Sequence, residues 1–425
     1  MGTLLPPLVC VRCGAPGRRT DPQRYLGCPR CRIEGQPANY RGTANPGAVV
    51  DAVRHPNVRR DMWRFAGALP VPDPVSLGEG HTPLVRLDAL GKAYGIGHLF
   101  AKNESVNPTW SHKDRLAAVT VAVARHTGAR VVAAASTGNH GAAVAAYAAR
   151  AGLRCVVATL AYVPPAMHAL MGAYGAEVVA LATSEERYEL IQAGVERHGW
   201  YPASNITAPA VGSDPYGIAG YKTIAYELVE QLGGPPDWLL LPVAYGDCLA
   251  GIVEGFAELR AAGVTDRVPF IVAVELFGAL ARALEGRGLG PVPMHPTAAF
   301  SIAGAYTTNQ AVAALERCGG FARTVAEDGI AEARLMLGVT SGLLVEAAAA
   351  APFAAAEALA ADGAFGPDEV VVCLLTSTGL KDRLPGSPSV VPAVAPDLGA
   401  FREALRSAER LDPAREADLF ADPGG

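Results

Sequence analysis

Short apolar segments alternate with helical patterns between residues 75 and 382, and this alternation constrains the fold more than any other feature of the sequence. The apolar segments are rich in Val, Leu and Ala and are bounded by Gly, Pro or Asp, which is typical of buried strands. They lie at 129–135, 153–159, 177–181, 238–243, 267–275 and 369–376. Helical patterns follow several of them, as at 184–198 and at 249–262, and in the latter apolar residues recur with a helical period. The alternation predicts an α/β fold in which helices cover both faces of parallel sheets.

The bulk composition excludes several classes of function. A net charge of −5 at pH 7, with no basic run interleaved with aromatic residues, argues against a nucleic-acid partner. The apolar segments are too short or too interrupted to cross a membrane. Residues 1–9 have neither the basic region nor the apolar length of a signal peptide, so we expect a cytoplasmic protein.

Four cysteines form two Cys-x-x-Cys pairs near the amino terminus, Cys10 with Cys13 and Cys28 with Cys31. Two thiolate pairs on tight turns can supply the four tetrahedral ligands of a zinc ion. A segment this small cannot fold on a core of its own, and a structural metal removes that difficulty. The spacing therefore predicts a zinc-ribbon-like module with a structural Zn²⁺, the alternative being two disulfides or idle thiols.

Lysine is scarce, and Lys113 lies in a turn-forming segment that leads into a predicted helix. A lysine fixed at such a junction suits a cofactor that binds through an amine, although a surface lysine at a helix start has the same pattern. Two glycine-containing turns, at 136–141 and 244–249, each follow a predicted strand and precede a helix. Such turns bring several N–H donors together, so both are candidate anion sites.

These segments together resemble the threonine synthases, which are pyridoxal-phosphate (PLP) enzymes of the tryptophan-synthase-β, or type II, fold. Residues 107–115, Asn-Pro-Thr-Trp-Ser-His-Lys-Asp-Arg, are similar to the family's lysine-bearing stretch. The further similar segments, in the family's order, are 78–84, 136–139, 220–227 and 376–382. The resemblance implies a two-domain α/β fold of PLP type II and an enzyme that acts on a small amino acid.

The resemblance also implies roles for individual residues. Lys113 would hold PLP through its amine and move the proton on the substrate Cα atom. Asn139 would hold the 3-oxygen of the pyridine ring, and Thr376 would face the pyridine nitrogen. Ser136 and Thr137 would take the substrate carboxylate. The cofactor phosphate would lie in the turn made by Ala244, Tyr245, Gly246, Asp247, Cys248 and Leu249.

The sequence departs from the family's pattern where a substrate would be selected. Gly217 stands where the family has an arginine for the phosphate of O-phosphohomoserine, and the loss of a guanidinium removes bidentate phosphate recognition. Trp110 replaces a glycine, and we expect it to form a wall of the pocket. His112 and His140 also replace family residues. Each is a candidate to assist a leaving group or a nucleophile, the alternative being a packed residue with one hydrogen bond.

We therefore expect a PLP-dependent lyase or synthase that catalyses β- or γ-elimination or replacement on a small amino acid with an activated side chain. The alternatives are threonine synthase itself, a serine or threonine dehydratase, and a catalytically vestigial binding protein. A homodimer is what the resemblance implies. We predict five parts along the chain. They are a zinc-ribbon-like module (1–40), a connector with a helix around 48–65 that begins the large domain (41–98), a small substrate-side domain (99–215), a large PLP-binding domain (216–385) and a tail (386–425).

Overall fold

The computed structural model describes residues 5–43, 45–55, 58–71, 73–161, 163–382, 397–407 and 413–420. The chain divides into two compact units, Met1–Asp382 and Arg383–Gly425. The first unit contains every predicted site residue, and the described part of the second consists of two helices. The finer division of the first unit into four parts stays a prediction.

The helices and strands follow one another along the chain in the predicted alternation. The strands are β1 (Leu8–Cys10), β2 (Pro16–Gly17), β3 (Tyr40–Gly42), β4 (Leu84–Arg86), β5 (His98–Asn103), β6 (Val131–Ala135), β7 (Arg154–Leu160), β8 (Glu177–Leu181), β9 (Tyr201–Pro202), β10 (Trp238–Pro242), β11 (Phe270–Glu275), β12 (Phe321–Thr324) and β13 (Val370–Leu375). The α-helices are α1 (Pro29–Ile33), α2 (Pro46–Arg54), α3 (Asp88–Tyr94), α4 (Lys113–His126), α5 (Asn139–Ala151), α6 (Pro165–Ala173), α7 (Ser184–His198), α8 (Pro215–Ile218), α9 (Lys222–Leu232), α10 (Asp247–Ala261), α11 (Ala279–Leu284), α12 (Asn309–Cys318), α13 (Glu327–Ser341), α14 (Ala347–Ala361), α15 (Leu398–Ser407) and α16 (Pro413–Phe420).

The larger sheet has six strands in the order β12-β11-β10-β13-β5-β4. Neighbouring strands are parallel except β4, which runs antiparallel to β5 at one edge. Alternate side chains of β10 enter different cores: Leu239 and Leu241 pack with α9 and α10, whereas Leu240 packs with the alanine-rich helix α14. The sheet is therefore covered on both faces, which explains why its strands are apolar throughout.

The smaller sheet has four parallel strands in the order β8-β7-β6-β9. Its core is built from small side chains, because α4 and α5 present mainly Ala and Val to β6 and β7. The predicted strand at 177–181 and helix at 184–198 are confirmed without a shift. The continuous helix expected around 48–65 is wrong, because α2 ends at Arg54 and a separate 3-10 helix spans Met62–Ala68.

The four cysteines lie in a small three-stranded antiparallel sheet in the order β2-β1-β3. We call residues 5–42 the cysteine module. Its apolar side chains, such as Leu8 and Tyr40, belong to the same core as the helices of the smaller sheet. The module therefore folds against the rest of the first unit rather than around a core of its own.

None of the helices in the described ranges combines the length and the apolar character needed to cross a bilayer. In the second unit, α15 ends at Ser407, and a further helix, α16, follows it along the chain. The cytoplasmic location and the homodimer remain predictions.

Candidate active site

The predicted site residues follow the carboxyl ends of strands from both large sheets. Residues 136–138 follow β6, residues 244–246 follow β10, and Thr376 follows β13. Lys113 is the first residue of α4, and the backbone N–H of its neighbour His112 donates to the Thr376 carbonyl at 2.9 Å. Carboxyl ends of parallel strands are where α/β proteins place ligands, so this edge is the candidate active site.

Lys113 has no polar partner among the residues that the structure describes. Its Nζ atom lies 5.8 Å from the centre of the Tyr221 ring, and its side chain is half-buried. Lys92 is exposed. The three buried lysines are each bonded to oxygen atoms: Lys102 to Thr82 and Glu227, Lys222 to Ala68 and Glu258, and Lys381 to Thr109 and Asn139. Only Lys113 thus combines partial burial with an amine left free for covalent chemistry.

Asn139 joins the two sheets through its side-chain amide. Its Oδ1 atom accepts from Lys381 at 2.7 Å and from Ser377 at 3.3 Å, and its Nδ2 atom donates to Glu346 at 2.7 Å. An amide nitrogen carries two hydrogens, so one donor remains for a ligand. Burial lowers the pKa of Lys381 to about 8, while the nearby carboxylates favour its charged form. Asn139 is therefore rigidly held with one N–H to spare.

The two histidines lie beside Lys113. The His112 ring stacks on Tyr221 with centres 5.5 Å apart, and its Nδ1 atom is 3.3 Å from the Thr376 carbonyl. Burial, and then the charge of Lys113, lower the pKa of both His112 and His140 well below the usual value. The Nε2 atom of His140 is buried without a hydrogen-bond partner in the described structure. Both rings are therefore neutral near pH 7.

The predicted phosphate turn ends in the first turn of α10. Gly246 has φ +80°, and a Cβ atom at this position would lie 2.4 Å from the Ala311 Cβ atom, so only glycine fits. The first N–H groups of a helix have no partner within the helix, which leaves those of 247–249 available to an anion. The Leu249 side chain is buried in the core, so only its backbone can contribute.

The side chains of the turn are already engaged or buried. Asp247 accepts from the Ser213 N–H at 3.1 Å, from the Ser213 hydroxyl at 2.6 Å and from Gln310 at 2.5 Å. Burial raises the pKa of the Tyr245 phenol and of the Cys248 thiol. The phosphate turn can thus offer backbone donors while its one carboxylate points to other protein groups.

The residues predicted for the substrate flank this region. The Ser136 hydroxyl accepts from the Gly141 N–H at 2.8 Å, which leaves its hydrogen free to donate. The hydroxyls of Thr137 and Thr376 make no hydrogen bond within the described residues, so both are available to a ligand. Trp110 has φ +58° and is 44% exposed. A left-handed conformation is strained for tryptophan and typical of positions under functional constraint.

Comparison with known proteins now decides the family. The profile described as pyridoxal-phosphate dependent enzyme matches residues 75–377. The chain belongs to this family. Curated relatives include the threonine synthases of Methanocaldococcus jannaschii, 34% identical over 79% of this chain and 84% of that protein, and of Methanosarcina acetivorans, 33% identical over 81% and 86%. Among solved structures, a pyridoxal 5'-phosphate-dependent aspartate racemase is 28% identical, with a TM-score of 0.59 over 73% of this chain and 92% of that one.

The fold is therefore confirmed as the mixed α/β fold of PLP type II, and the chain is a PLP-dependent enzyme. The residues around Lys113 fit PLP. Among the residues that the structure describes, Ser111 Oγ, His140 Nε2 and the Tyr221 hydroxyl are buried without partners near this lysine. A buried polar atom without a partner is costly, and a polar ligand at this edge would satisfy such atoms. The individual roles of the predicted residues stay predictions.

Sequence reasoning missed Glu346, Tyr221 and Ser377. Glu346 directly precedes α14 and is buried, where it accepts from Asn139 and from Ser301. Tyr221 lies within the predicted segment 220–227, yet no pattern indicates that its ring would meet His112. A cavity of about 710 Å³ between the cysteine module and helices α8–α10 is lined by none of the predicted site residues.

The four cysteine sulfurs form a closed group. Each lies within 4.8 Å of the other three, with Cys10 3.6 Å from Cys31 and Cys13 3.7 Å from Cys28. Four sulfurs around zinc at about 2.3 Å would be about 3.8 Å apart, so the spacing suits a tetrahedral metal site. All four thiols are free of disulfides.

Proposed function

We propose that this PLP-dependent enzyme removes an activated side-chain group from a small amino acid, in the manner of the threonine synthases. The observation that carries the proposal is the free, half-buried amine of Lys113 beside two neutral histidines. When bound, PLP supplies the electron sink for this chemistry. The cysteine cluster, in the same proposal, holds a structural zinc ion.

Each predicted site residue has its own role in this reaction. Lys113 binds the cofactor and moves the proton at the substrate Cα atom. Asn139 offers its spare N–H to the ring oxygen, and the Thr376 hydroxyl meets the ring nitrogen without protonating it. Ser136 and Thr137 hold the substrate carboxylate at the N-terminus of α5, where the helix dipole favours an anion. His112 and His140 are placed to exchange a proton with the departing group.

The relatives named threonine synthase favour O-phosphohomoserine as the substrate over the interpretation that another amino acid is used. Gly217 does not supply the phosphate ligand. A Cβ atom at this position would lie 1.9 Å from the Thr120 hydroxyl on α4, the helix that Lys113 begins. An arginine there requires the Thr120 side chain to move. A threonine synthase built on this chain must hold the substrate phosphate with a different residue.

Arg187 is our candidate for that ligand. Its side chain is 7% exposed, its Nη2 atom donates to Ser184 at 2.9 Å, and its Nε atom has no partner in the described structure. No carboxylate among the described residues lies within ion-pair distance of it. Its positive charge acts on Tyr245, in the predicted phosphate turn. A buried guanidinium without a counter-ion is costly, and a bound phosphate would compensate it.

The decisive assay supplies O-phosphohomoserine, O-acetylhomoserine, O-phosphoserine, serine and threonine in parallel and measures threonine, phosphate, oxoacid and ammonia. We expect threonine and phosphate from O-phosphohomoserine. Oxoacid and ammonia from serine or threonine alone would instead support a dehydratase, the candidate that the loss of the arginine at Gly217 favours. Bound PLP with no turnover of any substrate would support a vestigial enzyme.

An Arg187→Met variant in the same assay tests whether Arg187 binds the substrate phosphate. We expect KM for the phosphorylated substrate to rise by about 10- to 100-fold, because a charge-assisted bidentate contact is lost. Turnover of O-acetylhomoserine should be unaffected. Arg197→Met, an exposed arginine on the same helix, is the matched control. Equal effects of Arg187→Met on both substrates would show that Arg187 does not bind the phosphate.

A further inference from the structure

The segment that links the two cysteine pairs to the catalytic part is fixed by both pairs. The Ala38 carbonyl accepts from the Cys28 N–H at 2.8 Å, and the Asn39 carbonyl accepts from the Val11 N–H at 3.0 Å. Val11 lies between Cys10 and Cys13. The position of Asn39 therefore depends directly on the conformation of both cysteine turns.

The Asn39 side chain leaves the module and enters the catalytic part. Asn39 is 1% exposed, and its Nδ2 atom donates to the Ser213 carbonyl and to Gln310 Oε1, each at 3.0 Å. Its Oδ1 atom accepts from the Tyr40 N–H at 2.8 Å. Both donor hydrogens and one acceptor position of this amide are used, so its orientation is determined.

Gln310 carries the contact onward to the phosphate turn. Its Nε2 atom donates to Asp247 at 2.5 Å and to the Tyr245 carbonyl at 3.3 Å. Gln310 is 2% exposed, and Gly212 lies so close that a Cβ atom there would be 2.5 Å from its Nε2 atom. The two amides thus form one tightly enclosed path from the cysteine turns to the phosphate turn.

These contacts explain how the phosphate turn can contain a carboxylate, that of Asp247. Asp247 lies in the first turn of α10, where its charge would repel a phosphate bound to the same N–H groups. Ser213 and Gln310 donate to it and hold it away from that position. Without Gln310 a buried carboxylate loses a donor, and such a group turns toward any remaining N–H donors. Those donors are the ones that a phosphate needs.

We infer that the cysteine module positions the cofactor-phosphate turn through Asn39 and Gln310, which are positioning residues for PLP. The inference rests on the proposed function, because it assumes that residues 244–249 bind the cofactor phosphate. It assigns to the module a task beyond stabilising the amino terminus. Metal-bound cysteine turns keep Asn39 in place, Asn39 orients Gln310, and Gln310 keeps Asp247 out of the phosphate site.

The test measures PLP binding by the full-length protein rather than activity alone. Gln310→Met removes both the donor and the acceptor at nearly constant volume. We expect the PLP dissociation constant to rise by about tenfold or more, as for the loss of a hydrogen bond to a charged group. The ³¹P resonance of the bound phosphate should shift, and turnover lost at low PLP should recover at saturating PLP.

Tyr25→Phe is the matched control. The Tyr25 hydroxyl joins the same module to Glu196 on α7 at 3.2 Å, and this hydrogen bond involves neither Asn39 nor Gln310. We expect its PLP affinity to stay within about twofold of the unmodified protein. Equal losses in the two variants would mean that the module acts by general stabilisation, and would overturn the inference.

Asn39→Ala provides a second route if Gln310→Met does not fold. It cuts the path on the module side and leaves the Gln310–Asp247 contact in place, so we expect a smaller loss of PLP affinity. In the double variant the losses should not add, because both residues act on one path. Unchanged PLP affinity and an unchanged ³¹P resonance in the folded variant would overturn the inference. Failure of the unmodified protein to bind PLP would instead overturn the proposed function.

Discussion

The cysteine cluster and the group of residues around Lys113 satisfy their polar atoms in opposite ways. In the cluster, four chemically identical side chains face one another within 4.8 Å and leave no direction open to a substrate. Around Lys113, atoms of several types remain without a partner in the described structure, among them His140 Nε2 and the Tyr221 hydroxyl. A closed set of four ligands suits a structural metal, whereas polar atoms without hydrogen-bond partners suit the binding of a cofactor or substrate.

The difference teaches that burial alone does not separate structural from catalytic groups. Arg115 is fully buried, yet Glu104 and Glu227 neutralise it, with contacts of 2.6 to 2.8 Å. Lys113 is less buried, and no carboxylate of the described residues forms an ion pair with it. The distinguishing property is an unsatisfied donor or acceptor at the carboxyl ends of the strands. Substitutions on either side of this contrast test it.

The largest effect should come from Lys113→Ala. If this amine holds PLP covalently, the substitution removes the visible absorbance of bound PLP and lowers kcat by at least about a thousandfold. Absorbance spectra and steady-state kinetics measure both quantities. Lys92→Ala, which changes an exposed lysine, should alter neither. A Lys113→Ala variant that keeps the spectrum of the unmodified protein would place the adduct elsewhere.

The next largest effect should come from removing one ligand of the four-cysteine cluster. Cys13→Ser removes one of four sulfur ligands, so we expect loss of bound zinc and a fall of several degrees in the thermal unfolding midpoint. Metal analysis and calorimetry measure these changes. Cys155→Ser, in a buried cysteine outside the cluster, should leave the zinc content unchanged. A protein purified with four free thiols and no metal would contradict the zinc proposal.

The smallest effect concerns pH. The folded pKa of His140 is lowered by burial and by the charge of Lys113, whereas an unfolded histidine titrates near about 6.5. Below that pH the unfolded state binds a proton that the folded state does not. The contribution of His140 to the free energy of unfolding is therefore fully present well above pH 6.5 and declines as the pH falls, by at most about 0.7 kcal/mol from pH 7 to 6.

His140→Asn should flatten this part of the stability profile, measured by chemical denaturation at several pH values. His55→Asn, which changes an exposed histidine, should leave the profile as it is. A profile that His140→Asn does not alter would mean that the ring is freely protonated in the folded state. His140 would then behave like an exposed histidine and not like a buried residue beside Lys113.

Much of the fold was predictable because it depends on local patterns. The strand at 177–181 and the helix at 184–198 agree with the sequence without a shift, since apolar runs and a Thr183–Glu186 capping box mark their limits. The break after Arg54 was predictable, because Pro56 lies inside the expected helix and a proline disrupts a helix interior. The short edge strand β9, Tyr201–Pro202, has no periodic signal at all.

The sequence by itself determined the alternation of strands and helices, the two cysteine pairs and the lysine at the start of α4. Only the tertiary structure decided which polar groups are satisfied. Lys381 reaches Asn139 across 242 residues of chain, and Asn39 reaches Gln310 across 271. Local propensity carries no information about such pairs, because they form only when separate strands and helices have packed. For that reason the sequence could nominate Lys113, but only the folded chain shows that its amine is left free.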